Sequence, residues 1–272
     1  MGYVAIGRER AALLVELAAY YSDLYCPGDQ AIDPVAIAKG LDLPFKSGDY
    51  GGYFEGLLEY ADGGFHVFLH FNEGDNLYVP RVRFSFAHEI GHYVIDEHRH
   101  ALMKPGVQAH GSQGIFASDL VTEYEADFFA ACLLMPEHRI RRDIYRRKFN
   151  ATLVDELRRK YNVSFTATML RFVALGNHPI MVVCSRAGKY KWLRYSEDFP
   201  FNRLNLGAGK QLPENTAAME YFEDGRMYRK AEKVFAEDWF VLWNGQDRRR
   251  PFNEFCIYYP SMDQVVSLLW EG

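Results

Sequence analysis

The chain is short of the features that would place it outside the cytoplasm or staple it covalently. Its 272 residues include only four cysteines, Cys26, Cys132, Cys184 and Cys256, and no two are close enough for a C-x-x-C pair. Neither a disulfide framework nor a thiolate zinc knuckle is indicated, and ordinary buried thiols in a reducing compartment are expected. No segment reaches the roughly 20 apolar residues that span a bilayer. The apolar run 11–21 follows Arg8 and Arg10 but is interrupted by Glu16 and has no small-x-small cleavage site after it. Gly2 invites comparison with a lipid-anchor signal, but Ile6 stands where that signal needs Ser or Thr. Excess positive charge is lacking too: a formal net charge of -5 and a pI near 6.0 argue against a protein that coats nucleic acid or an anionic membrane. A soluble cytoplasmic protein is expected.

What is present is core-forming material, 49% apolar and 15% aromatic, enough for one large domain or two to three small ones. Leu13, Leu14, Leu17 and Tyr20 or Tyr21 recur at helical spacing over 9–24, and Cys26-Pro27-Gly28-Asp29 ends that helix. Asp33-Pro34 supplies an N-cap and a first-turn proline for a short helix closed by Gly40. Two β-type runs, 51–60 and 65–71, flank the hairpin signal Ala61-Asp62-Gly63-Gly64. His66 and His70 fall in the second run and read as the polar face of a half-buried strand. A helix expected over 80–97 carries an apolar stripe of Phe86, Ile90 and Val94 and a polar stripe of Ser85, His88 and His92. A Gly- and His-containing loop over 98–117 leads to a helix over 121–135, stopped by Pro136.

The polar stripe carries the chemistry. His88-Glu89-Ile90-Gly91-His92 reads H-E-x-x-H. Residues four apart on an α-helix lie about 40° apart around its axis, so both imidazoles reach one metal ion. Glu89 then stands beside the pair, within reach of a water at that ion. A catalytic zinc site needs a third protein ligand and an open position. His98 occupies the place of the third histidine in metzincins, but Ile95 replaces the helix-breaking glycine. An unbroken helix would carry His98 about 15 Å from His88. The carboxylates on the second helix are better placed. Glu123 shares its face with Ala126, Asp127 and Ala130, whose small neighbours allow close helix approach. Glu125 points towards Phe128, Phe129 and Cys132 and is the less favoured choice. Asp127, one turn from Glu123, suits a carboxylate that accepts a ring N–H from a ligating histidine.

The strings R-F-S-F-A-H-E-I-G-H at 83 to 92 and E-Y-E-A-D-F-F-A-A-C-L-L-M-P at 123 to 136 resemble the ImmA/IrrE family of metallo-endopeptidases, and D-P-V-A-I-A-K-G-L-D-L at 33 to 43 is similar to that family's N-terminal helix. The resemblance implies a zinc ion held by His88, His92 and Glu123, with Glu89 as catalytic base. It also implies cleavage or inactivation of a helix-turn-helix repressor, in mobile-element induction or stress response. Asp127 departs from the Asn more usual in the family, though either side chain can accept the hydrogen bond. For the oxyanion, Tyr93, His98, His100 and His110 are within sequence reach and none is singled out.

Beyond Pro136 the segment 139–160 is strongly basic, with Arg139, Arg141, Arg142, Arg146, Arg147, Lys148, Arg158, Arg159 and Lys160 against Asp143, Asp155 and Glu156. It runs into two helical patterns, 153–161 and 164–175, joined by Asn162-Val163 and closed by Gly176. That is the outline of a helix-turn-helix, which could contact DNA phosphates or pack as a solvated helical pair. From His178 onwards strands are expected at 180–184, 189–195, 239–243, 255–259 and 265–270, with helix near 214–222. The expected architecture is α+β. A gluzincin-like zinc peptidase domain of helices and a small antiparallel sheet takes 1–136, and a basic helix-turn-helix-like region 137–177. A small α/β sensing or docking domain takes 178–272, where relatives carry a GAF-like fold. Three of the four tryptophans follow Lys230 and are expected in its core.

Overall fold

The computed structural model describes residues 6–104, 111–112, 121–243 and 245–272. Gly2, His110 and most of the expected loop beyond Lys104 lie outside them. The chain forms two compact units, one from Met1–Arg147 with Arg158–Ser164 and one from Lys148–Leu157 with Phe165–Gly272.

In the first unit, α1 (Arg8–Tyr25) buries Leu14, Ala18 and Ser22, a line four residues apart. The expected stripe is therefore offset: Leu13 is 57% exposed and Leu14 is 1% exposed. Helix α2 (Pro34–Gly40) begins as its sequence dictates, with the Asp33 carboxylate accepting the Val35 N–H at 3.0 Å. Strands β1 (Phe45–Gly48), β2 (Gly56–Ala61), β3 (Gly64–His70) and β4 (Gly111–Ser112) form one sheet in the order β1-β3-β2-β4. Asp62 and Gly63 both take positive φ, 53° and 80°, as a two-residue hairpin turn of the I′ type requires. Because β1 runs parallel to β3, the sheet is mixed rather than wholly antiparallel. The first hairpin strand starts at Gly56, not residue 51.

Helix α3 (Pro80–Val94) lays Phe86, Ile90 and Val94 into the core with Leu58, Val67 and Leu69 of the sheet. The Phe86 ring meets that of Phe45 at 4.9 Å. Helix α3 does not continue to residue 97. Ile95 is extended, with ψ 109°, and a separate helix α4 (Asp96–Leu102) follows. Helices α5 (Val121–Leu134) and α6 (Glu137–Ile144) are separated by Met135-Pro136. Buried Arg83 donates to the carbonyls of Ile32 at 2.5 Å and Asn162 at 3.0 Å, drawing residues 158–164 into this unit. Among the described residues no helix is long and apolar enough to cross a membrane.

Helix α7 (Ala151–Tyr161) is divided between the units after Leu157. The second unit continues with α8 (Phe165–Leu175), terminated by Gly176 at φ 62°. Its sheet comprises β5 (Ile180–Arg186), β6 (Lys189–Tyr195), β7 (Glu232–Phe235), β8 (Pro251–Tyr259) and β9 (Gln264–Glu271), antiparallel throughout in the order β6-β5-β9-β8-β7. Every residue from Ile180 to Ser185 is buried, which explains why the sequence shows an apolar run and not an alternation. One face packs on α9 (Ala217–Asp224) and α10 (Ala236–Trp239), through Met181, Val183, Met219, Trp239 and Phe252. The other holds Phe149, Phe172 and Trp270, with ring centroids 5.1 and 5.6 Å from that of Phe149. The strand expected at 239–243 is not formed. Trp239 closes α10 and is fully buried, and Phe240 makes only an isolated bridge to Leu204. Trp243 departs from the core expectation, being 85% exposed with Arg203 over its ring. All four cysteines are free thiols.

Candidate metal centre

The centre is built where α3 and α5 meet. A Cβ at Gly91 would lie 2.9 Å from Phe129 Cδ1 and 3.5 Å from the Ala126 Cα, so the glycine of the His-Glu-x-x-His stretch is what lets α5 approach. Ala126 and Ala130, both fully buried, keep the facing side thin. Across this seam Glu123 Oε2 is 3.3 Å from His88 Nε2, Glu123 Oε1 is 3.2 Å from His92 Nε2, and the two Nε2 atoms are 3.0 Å apart. One ligand atom from each of His88, His92 and Glu123 lies within 4.8 Å of the others.

These separations fit a metal ion better than they fit a hydrogen-bonded cluster. A tetrahedral ion with bonds of about 2.0–2.1 Å sets its ligand atoms roughly 3.3 Å apart. His88 Nδ1 lies 2.9 Å from Asp127 Oδ1. With Asp127 accepting that ring proton, the lone pair of Nε2 is left to face the cluster. Burial works against charge on His88, but the Asp127 and Glu123 carboxylates outweigh it and raise its pKa to about 10, a positive charge that a bound cation would supply in place of the Nε2 proton. Burial and the neighbouring His88 keep His92 below its ordinary value. Burial would raise Glu123, yet the hydrogen bonds from both histidines hold it well below the usual carboxylate range. A site that concentrates carboxylates around histidine nitrogens in this way is short of positive charge, which a cation would supply.

Glu89 is 1% exposed. Its position depends on a residue that sequence reading passed over. A Cβ at Gly56, the first residue of β2, would stand 2.7 Å from Glu89 Oε1 and 3.0 Å from its Cγ. The lack of a side chain at Gly56 gives Glu89 its room, and only the fold reveals that a strand residue 33 positions away faces it. Gly56→Ala is expected to leave thermal stability within about 1 kcal/mol, because a flexible side chain can yield, while displacing Glu89. A displacement near 1 Å costs on the order of 10²-fold in rate. Melting curves and cleavage assays check this, and an unchanged rate would show that Gly56 does not set Glu89.

Other expected residues are placed elsewhere. The break at Ile95 brings the His98 ring to 5.1 Å from that of His92, so the 15 Å separation expected from a continuous helix does not apply. His98 nonetheless stands outside the His88, His92, Glu123 group. Glu125 is not turned towards aromatic neighbours alone. It pairs with Arg10 and with His98. Tyr93 packs edge-on against Phe65 at 5.4 Å, and His100 is exposed. His70 is buried and its Nδ1 accepts the Tyr50 N–H at 3.0 Å. In the basic segment Arg139, Arg141, Arg142 and Lys160 meet Asp23, Glu137, Asp29 and Asp143, each within 2.6 Å. Much of its charge is therefore answered inside the fold. Arg139 is buried outright.

A sequence search among curated proteins finds no match. Among solved structures 11 chains match. One is a Mycobacterium tuberculosis transcriptional regulator, similar with a TM-score of 0.60 and 10% identity over 97% of this chain and 77% of that one. At that identity the likeness concerns the fold. Residues 68–172 match the family described as the IrrE N-terminal-like domain, a peptidase family, and that span contains His88, Glu89, His92, Glu123 and Asp127. Through this span, whose two halves meet at the α3–α5 seam, the chain is similar to the IrrE N-terminal-like domain, a domain of metallopeptidase type.

Proposed function

We propose that the protein is a zinc-dependent endopeptidase of narrow specificity. Its substrate would be a regulatory protein, a helix-turn-helix repressor, in stress response or mobile-element induction. The observation that carries the reading is the set of two Nε2 atoms and one carboxylate at 3.0–3.3 Å with buried Glu89 beside them. His88, His92 and Glu123 would hold the ion, and Asp127 would fix the His88 tautomer. A zinc ion there supplies Lewis acidity that makes water a nucleophile near neutral pH. Glu89 takes the proton of the attacking water and passes it to the leaving amine as the peptide bond breaks.

The second unit is part of this proposal as a sensing or docking module, GAF-like over 178–272, that would match activity to a signal. Contact with DNA would fall to the basic region 139–160, where, just beyond α6, exposed Arg146 lies over the ring of exposed Tyr145. A second reading, a DNA- or protein-binding regulator whose metal is structural, draws support from the name of the Mycobacterium tuberculosis neighbour.

The test is metal removal and return. The chelated chain is expected to lose cleavage of a co-encoded repressor, and stoichiometric zinc to restore it. Cleavage that persists in the fully stripped protein would rule out the metallopeptidase reading.

A further inference from the structure

His88 and His92 are held differently. Asp127 anchors His88 through Nδ1, whereas the polar contacts of His92 among the described residues run through Nε2 alone. What stands against His92 is the ring of His98, 5.1 Å away between centroids and tilted by 44°. His98 is 3% exposed, and its Nε2 lies 3.1 Å from Glu125 Oε2. Glu125 is in turn gripped by Arg10, with Nε donating to Oε1 at 3.0 Å and Nη2 to Oε2 at 2.6 Å. Arg10 also reaches Glu97 at 3.1 and 3.3 Å.

A carboxylate gripped by a guanidinium stays ionised, so Nε2 of His98 carries the proton and donates it. This fixes the ring plane of His98. A purely packing role would be met more cheaply by Leu or Phe, because burying a polar ring and a carboxylate is costly unless each is paired. Here the paired groups end on a ring in contact with a ligand residue. The break at Ile95 is what turns the chain so that His98 can reach this place.

We propose that Arg10, Glu125 and His98 form a positioning relay that fixes the His92 imidazole for the metal, tying the centre to α1, outside the span matched by the family. The relay acts through His92 and touches neither substrate nor metal. It rests on the reading that the His88, His92, Glu123 cluster binds a metal ion.

The experiment uses the full chain, with zinc affinity measured by chelator competition and the ligand field by the visible spectrum of the cobalt(II) form. Glu125→Gln, Arg10→Gln and His98→Ala are each expected to weaken zinc binding about 10-fold or more, the usual effect of losing a group behind a ligand. The cobalt(II) bands should shift, since His92 can then rotate. Glu97→Gln, an exposed change at the outer end, should leave both readouts as they were. Variants that melt earlier yet bind zinc within twofold of the parent, with unchanged bands, would overturn the relay and leave only a brace for the fold. If the parent chain binds zinc and His88→Ala does not, the metal reading stands whatever the relay variants do. If the parent itself fails to bind, both readings fall.

Discussion

Glu89→Gln is expected to bind zinc as tightly as the parent and to cleave its partner roughly 10²–10⁴-fold more slowly, the range that a positioned general base supplies. The expectation follows from shape. Glutamine is isosteric with glutamate, so it fits the space that Gly56 leaves beside Glu89 and disturbs neither His88 nor His92. What it cannot do is accept the proton of an attacking water. Zinc content by metal analysis and cleavage of a purified repressor on the same preparation separate the two effects. A variant that retains cleavage within tenfold would remove the general-base role from Glu89, and one that supports full regulatory activity without cleaving would transfer the protein to the class of non-proteolytic regulators.

Glu254→Leu is expected to destabilise the second unit by about 3–5 kcal/mol, the cost of removing one partner from a buried charged network. Glu254 is 1% exposed in β8. It accepts from the Ala217 and Ala218 N–H groups at 2.9 and 3.1 Å, from Trp239 Nε1 at 3.0 Å and from Ser267 Oγ at 3.0 Å. Burial pushes its carboxyl up while these donors oppose the rise. The first two donors are the open N-terminus of α9, so one side chain joins that helix to the sheet and to the end of α10. Leucine would orphan at least three N–H groups with no water to take them. Glu254→Gln should cost less, about 1–3 kcal/mol, because its carbonyl still accepts. All four tryptophans, Trp192, Trp239, Trp243 and Trp270, belong to this unit, so urea denaturation followed by tryptophan emission reports it selectively. A loss below about 1 kcal/mol for the leucine variant would mean that the helix end finds other partners.

Much of the first unit was legible because its signals are local. Asp33-Pro34, the Asp62-Gly63 turn and Pro136 each act within a few residues of themselves. The meeting of α3 with α5 was legible from composition, since alanines beside a glutamate have few other uses. What escaped were effects of the chain's return on itself. No local rule sets Gly56 against Glu89, or Arg10 of α1 against Glu125 of α5. Ile95 is an ordinary helix residue by propensity, and its extended backbone reflects the burial of Ile95 and His98 together, which overrides that weak preference. In the second unit the run 239–243 has a strand's composition, yet the large side chains serve the core from a helix end and a bridge. Apolar runs of that length do not distinguish the two.

Helix α7 gives its first turns to one unit and its last to the other, so the chain crosses the boundary between units at 147, 157 and 164. For anyone cutting the gene into fragments this matters at once. A fragment ending at 147 keeps every proposed ligand but loses the carbonyls of Tyr161 and Asn162, leaving the buried Arg83 guanidinium, five residues before His88, with two fewer acceptors. The first unit is thus completed by a stretch of polypeptide, 158–164, that is synthesised only after the first piece of its neighbour, 148–157.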